Sequence, residues 1–169
     1  HSTNTTDLSD ESMLIVTNYN KETKEILDII KAPKVLHMKY KGGNALISQA
    51  KIGIAFEYGK DSSLDVFNAV LYDIAEVLVH FGLLKTNLYT RKKTNTHTET
   101  FEVYDVFKKD FVGSYKLSPH IKNFTTFLKG NVVCELDTNR QILADENFVP
   151  VLFGENRYRE IFGFKARKK

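Results

Sequence analysis

The chain has 169 residues, 42% of them apolar and 27% charged, with a formal net charge of +3. This length suits one domain, or one domain with a small appendage, and the composition is rich enough for a real core. The charge is too small for a nucleic-acid footprint, and no stretch is long and apolar enough for a transmembrane helix. The lone Cys134 excludes an internal disulfide and suits a reducing, cytoplasmic compartment.

The opening residues 1–12 have loop composition, with Leu8 their only apolar member. Met13-Leu14-Ile15-Val16 is a short strand. Asn18 and Asn20 then precede a helix over about Lys21 to Lys31, whose Ile26, Leu27, Ile29 and Ile30 form an apolar stripe and which Pro33 stops. Val35 to Tyr40 alternates like a strand, with His37 a partly buried member, and Gly42-Gly43 marks a loop. Ile52-Gly53-Ile54-Ala55-Phe56 reads as a strand covered on both faces and ending in Glu57. Gly59 turns the chain, and Asp61-Ser62-Ser63 offers caps for the next helix. A carboxylate at the carboxyl end of a strand, before a helix, lies where open α/β sheets place their sites. Taken alone, the same position is equally the first solvated residue after a strand.

Leu64, Phe67, Leu71, Ile74, Leu78 and Phe81 recur at spacings of three and four. They predict a helix over about 63–84 with that face buried and with His80 packed or capping its last turns. Strand, helix, strand, strand and helix in succession describe α/β layers. Lys85 to Glu99 is polar, a linker or exposed hairpin loop. From Phe101 onward short strand-like runs dominate: 101–107, 111–117, 127–128, 132–136 and 148–153. Turn signals at Lys129-Gly130-Asn131 and Asp137-Thr138-Asn139-Arg140 separate them, and 155–164 is helical or extended. Arg91-Lys92-Lys93 and Lys165 to Lys169 read as solvated ends, and Cys134 as a buried, inert thiol. The chain thus divides into an α/β part at 1–84, a linker at 85–100 and a mostly β domain at 101–169.

Four stretches together resemble one enzyme family. His1-Ser2-Thr3-Asn4-Thr5 resembles the segment just after a strand in the aspartoacylase and succinylglutamate desuccinylase family, where an Asp-Leu-His motif supplies a zinc ligand. Gly53 to Gly59 resembles its strand ending in Glu-x-Gly, and Phe101-Glu102-Val103-Tyr104 the opening of its C-terminal β domain. Pro150 to Tyr158 resembles its final strand and the tyrosine beyond it. Order and spacing agree over nearly the whole chain.

The resemblance implies part of a zinc-carboxypeptidase-like α/β sheet layer followed by a small β domain. It implies a zinc-dependent amidohydrolase that cleaves an N-acyl amino acid, a small-molecule substrate. Position by position, His1 matches the third zinc ligand, Glu57 the general base and Tyr158 a substrate-contacting tyrosine. The chemistry suits those residue types: three protein ligands leave a zinc position open for water, and a nearby carboxylate moves the proton. Strand burial is expected to raise the pKa of Glu57, and Ser2 to Thr5 to orient His1. The His-x-x-Glu motif that carries the first two ligands is absent, so the resemblance implies the carboxyl-terminal portion of a longer enzyme. Its natural partner is then the missing amino-terminal portion, and an uncovered edge also permits a homo-oligomer. The family's arginine shortly before the catalytic glutamate is absent from Asn44 to Ala50, and Lys39, Lys41 and Lys51 are off register. N-acetylaspartate is therefore not singled out, and another acyl-amino acid, peptide or ester is equally open. With one ligand of three in hand, a non-catalytic binding or regulatory module is the alternative.

Overall fold

A computed structural model of the chain describes residues 12–39, 46–58, 64–90, 97–154 and 158–169. His1 to Thr5, Gly42-Gly43, Gly59, Asp61 to Ser63 and Arg91 to Thr96 lie outside the described residues. Two compact units divide at Phe101 and Glu102.

In the first unit, strand β1 (Met13–Val16) pairs in parallel with β2 (Lys34–Met38) and antiparallel with β3 (Ile54–Glu57). The strand order is β3-β1-β2, and the first residues of β4 (Glu99–Lys108) follow β2. Helix α1 (Lys21–Ile30) forms where the sequence expects it. The Asn20 side chain accepts the Thr23 N–H at 2.8 Å, which satisfies one of the four orphan donors at the helix start. Lys31 adopts the left-handed conformation, φ 52°, and its N–H donates to the Leu27 carbonyl at 2.9 Å, closing the helix ahead of Pro33. Ile26, Leu27 and Ile30 pack on Leu14, Val16 and Val35, with Ile54, Phe56 and Val77 alongside.

Two expectations for this unit fail. The segment around β3 does not read as a strand covered on both faces: all four residues of β3 are half-buried, and β3 ends the strand order among the described residues. Helix α2 (Leu64–His80) exists, but its predicted buried face is the wrong one. Leu64, Phe67, Ile74 and, just beyond the helix, Phe81 are exposed, whereas Asp73 and Ala75 are buried. The reason lies in α2 itself: beside that stripe Val66, Val70 and Val77 form a second apolar row, and Val77 packs on the core. His80 sits in the last turn, where a cation suits the helix dipole.

The second unit has one sheet in the order β4-β9-β8 and another in the order β5-β6-β7. They are built from β5 (Tyr115–Leu117), β6 (Val132–Leu136), β7 (Gln141–Leu143), β8 (Val149–Val151) and β9 (Ile161–Lys168). No helix occurs among its described residues, as the short strand runs predict. Gly130 (φ 84°) and Asn139 (φ 60°) make the two predicted turns. Phe107, Phe148, Phe153 and Phe162 centre the core, with Phe153 and Phe162 stacked at 5.9 Å between ring centroids. Cys134 is fully buried there, and burial pushes its thiol pKa up.

The basic run after Phe164 is not wholly a solvated end. Lys165 is buried, and its ammonium donates to Asp145 Oδ1 at 2.8 Å and to Glu146 Oε1 at 3.1 Å. It also lies 5.3 Å from the Phe107 ring centroid. Desolvation lowers the Lys165 pKa, but the two carboxylates outweigh it and leave the pKa raised.

Candidate functional site

Glu57 is the last residue of β3 and sits opposite Met13 in the antiparallel register. Side chains alternate along a strand, so Glu57 and Ala55 share one face and Phe56 the other. Phe56 packs with Leu14, Val16 and Val77, which identifies its face as the helix side. Glu57 therefore points away from α1 and α2. Tyr58 follows Phe56 onto the helix side: the two rings stack at 5.9 Å, and Tyr58 Oη donates to Asp73 Oδ2 at 3.1 Å. Both partners are buried. The hydrogen bond ties the residue after Glu57 to α2, and it fixes the direction in which Glu57 leaves the strand.

The row containing Glu57 holds a second ionisable group. Met13 is in register with Glu57 on β3 and with Lys34 on β2, so Lys34, Met13 and Glu57 lie side by side on one sheet face. Lys34 is buried, and desolvation lowers its pKa against the opposing pull of Glu99. The placement corrects one expectation. Glu57 is at the carboxyl end of β3, but β3 runs antiparallel to β1, so the carboxylate stands at the amino ends of the parallel pair. The rule for the carboxyl ends of parallel strands does not explain it.

Tyr158 belongs to the second unit. It is half-buried, its ring meets Phe164 edge-on at 5.7 Å, and its carbonyl accepts a hydrogen bond from Lys109 Nζ at 2.7 Å. His1 lies outside the described residues. Among the described residues, no three His, Cys, Asp or Glu side chains group as metal ligands, so these residues alone do not fit a zinc centre. A cleft of about 390 Å³ in the second unit is lined by Phe107, Phe111, Asp110, Asp145 and Lys165 among others, and neither Glu57 nor Tyr158 lines it.

Sequence reasoning missed Asp73, Tyr58 and Lys34. A signal for Asp73 existed: it interrupts the apolar stretch Ala69-Val70-Leu71-Tyr72 and Ile74-Ala75. A lone carboxylate inside such a run needs a buried partner.

No protein-family model and no curated protein matches this sequence. Solved structures do match it by fold. Murine aminoacylase 3 is similar over 94% of this chain and 59% of its own, with a TM-score of 0.65 and 15% identity. An aspartoacylase family protein from Mesorhizobium loti is similar over 99% of this chain and 61% of its own, with a TM-score of 0.60 and 17% identity. Succinylglutamate desuccinylase from Vibrio parahaemolyticus is similar over 94% and 49%, with a TM-score of 0.60 and 14% identity. The chain spans about three-fifths or less of the length of these proteins. Among the described residues, no helix is long and apolar enough to cross a membrane. Nearly the whole chain has the fold shared by the aspartoacylase and succinylglutamate desuccinylase structures.

Proposed function

We propose that this chain is the carboxyl-terminal portion of a zinc-dependent hydrolase that removes an acyl group from an amino acid, or cleaves a related amide or ester. The observation that carries the reading is a fold likeness to named acylases and desuccinylases that extends over 94% or more of the chain. The direction of Glu57, away from the helices and beside the Lys34 row, supports it further.

In this reading Glu57 takes a proton from the attacking water and passes it to the leaving amine. Tyr158 donates its phenol to a carboxylate or carbonyl of the substrate. His1 supplies one zinc ligand. The metal, when bound, polarises the scissile carbonyl and acidifies water. The described residues do not complete a ligand set, so the others come from elsewhere in the protein. These 169 residues alone are then a poor catalyst, because one histidine holds zinc weakly.

The same lack of a ligand cluster favours a second reading, a non-catalytic module that keeps the fold. One experiment separates the two. The longest natural form of the protein is stripped of metal, reloaded with zinc and assayed against a panel of N-acetyl and N-succinyl amino acids. Zinc-dependent release of free amino acid supports the hydrolase. A full-length, folded protein that hydrolyses none of them and binds no zinc supports the module.

A further inference from the structure

The backbone at Tyr158 is held by more than strand pairing. Lys109, just beyond β4, makes two bonds to the stretch that leads into β9. Its backbone N–H donates to the Glu160 carbonyl at 2.9 Å, a main-chain link between neighbouring strands. Its ammonium reaches past Arg159 and donates to the Tyr158 carbonyl at 2.7 Å. That second bond is no part of a strand ladder. Aromatic rings set where the ammonium sits: it lies 5.1 Å from the Tyr115 ring centroid and 5.3 Å from that of Phe162. Those two rings meet edge-on at 5.0 Å. A cation attracted to two ring faces has a fixed place, and a charge-assisted hydrogen bond fixes the carbonyl it meets.

The approach to Tyr158 is held from the other side as well. The Asn123 side chain accepts the Phe153 N–H at 2.8 Å and donates to the Phe153 carbonyl at 3.2 Å, so both halves of its amide grip one residue. Gly163 lets β9 come so near that a Cβ there would fall 2.6 Å from the Phe153 Cα. Leu152 and Phe124, the chain neighbours of that pair, both take the left-handed conformation, at φ 52° and φ 65°. Bulky residues rarely adopt it. Such strain persists where the surroundings over-determine the backbone, and it clusters at functional sites. Two contacts then define where the Tyr158 phenol stands: Lys109 fixes the carbonyl, and Phe164 meets the ring edge-on at 5.7 Å.

We propose that Lys109 is a positioning residue for Tyr158, its ammonium holding the Tyr158 carbonyl so that the phenol is already in place when substrate arrives. The inference rests on the reading of Tyr158 as a substrate contact, and it adds what holds that contact in place. A hydroxyl ordered beforehand loses less freedom on binding, so the gain appears in kcat/KM.

The test has two parts, both in the longest natural form of the protein. Hydrogen exchange read by mass spectrometry reports the placement without zinc or substrate. Lys109→Met keeps the length of the side chain and removes the donor, whereas Lys109→Arg keeps a donor and a cation. Amides of 158–164 should exchange about tenfold faster in Lys109→Met, the scale of one charge-assisted hydrogen bond, and near the parent rate in Lys109→Arg. Amides of β6 serve as the control and should not change. Lys109→Leu repeats the measurement in case Lys109→Met perturbs the fold. Unchanged exchange at 158–164 in both donor-less variants overturns the proposal.

Activity then separates positioning from plain structural support. Lys109→Met should lower kcat/KM on the substrate found in the panel, and Lys109→Arg should restore most of it. In a chain that already carries Tyr158→Phe, Lys109→Met should cause no further loss, because the hydroxyl it places is gone. Losses that multiply overturn the proposal, since Lys109 then acts by some route other than the phenol. A panel without a substrate, or Tyr158→Phe with unchanged kcat/KM, is a failure of the underlying reading, seen with Lys109 intact. The positioning role falls with it, while the exchange result still says whether Lys109 holds the segment.

Discussion

The phenolic hydroxyl of Tyr58 donates to the buried carboxylate of Asp73 at 3.1 Å, joining the end of β3 to the middle of α2. Tyr58 is the residue after Glu57, so this bond helps decide which way the candidate catalytic carboxylate leaves its strand. A buried carboxylate that loses a donor pays the desolvation cost of its charge. Tyr58→Phe should therefore lower stability by about 1–3 kcal/mol in denaturant unfolding. The double variant with Asp73→Asn should lose less than the sum of the two single losses, because the pair is coupled. A Tyr58→Phe variant as stable as the parent would show that the bond holds nothing.

Gly53 stands just before β3, where a Cβ would overlap the carbonyl of Ile47. That oxygen also accepts a hydrogen bond from Thr17 Oγ1 at 3.2 Å. The clash is with backbone, so relief requires moving the segment rather than turning a side chain. Gly53→Ala should cost about 1–3 kcal/mol, the usual scale for overpacking. Thermal unfolding checks this, and an unchanged midpoint would mean that the segment shifts freely.

Tyr104 gives the second unit a pH dependence. Desolvation first, then Glu146, pushes its pKa up to about 12 from an ordinary value of 10.0. The folded state therefore keeps the phenol protonated after the unfolded chain has released it. The stabilising contribution is complete below pH 10 and is lost as pH rises toward about 12. Tyr104→Phe removes the titration, so its stability should fall less steeply than the parent's over that window. Parallel slopes in pH-dependent urea unfolding would contradict the assignment.

Tyr158 offers a cleaner functional test than most aromatic residues. Its ring packs on Phe164 and its backbone carbonyl holds Lys109, so Tyr158→Phe keeps both contacts. Denaturant unfolding of the variant separates any loss of stability from a loss of function. In the active form of the protein kcat/KM should drop, because the missing hydroxyl would have contacted substrate. Unchanged kcat/KM would remove Tyr158 from the site.

The sequence is most legible where one local signal decides the structure. Asn20, the Ile26-Leu27-Ile30 stripe and Pro33 define α1 without help from the rest of the chain. Glycine or asparagine in the left-handed region marks the turns at Gly130 and Asn139. Legibility ends where tertiary context chooses between local options. Periodicity shows that α2 has an apolar stripe, but two rows of apolar residues compete, and periodicity does not say which one meets the sheet. Strand β7 is three residues with one half-buried side chain, too short to alternate visibly. Strand β9 hides behind a basic run whose first lysine is buried only because Asp145 and Glu146 come to meet it. At the candidate site, Glu57 is marked by its position after an apolar run. Lys34, which shares its row across Met13, and Asp73, which holds the next residue Tyr58, come from other elements and carry no shared motif.

The central claim is that Glu57 moves the proton in acyl-amino acid hydrolysis, and Glu57→Gln in the longest natural form of the protein tests it most directly. The amide keeps the shape of the side chain and removes the base. With the fold verified by unfolding and the substrate found in the zinc-reloaded panel, kcat should fall by about 10²–10⁴, the usual contribution of a positioned acid–base group. Turnover within a few-fold of the parent would contradict the account and return Glu57 to the role of a solvated residue at the end of a strand.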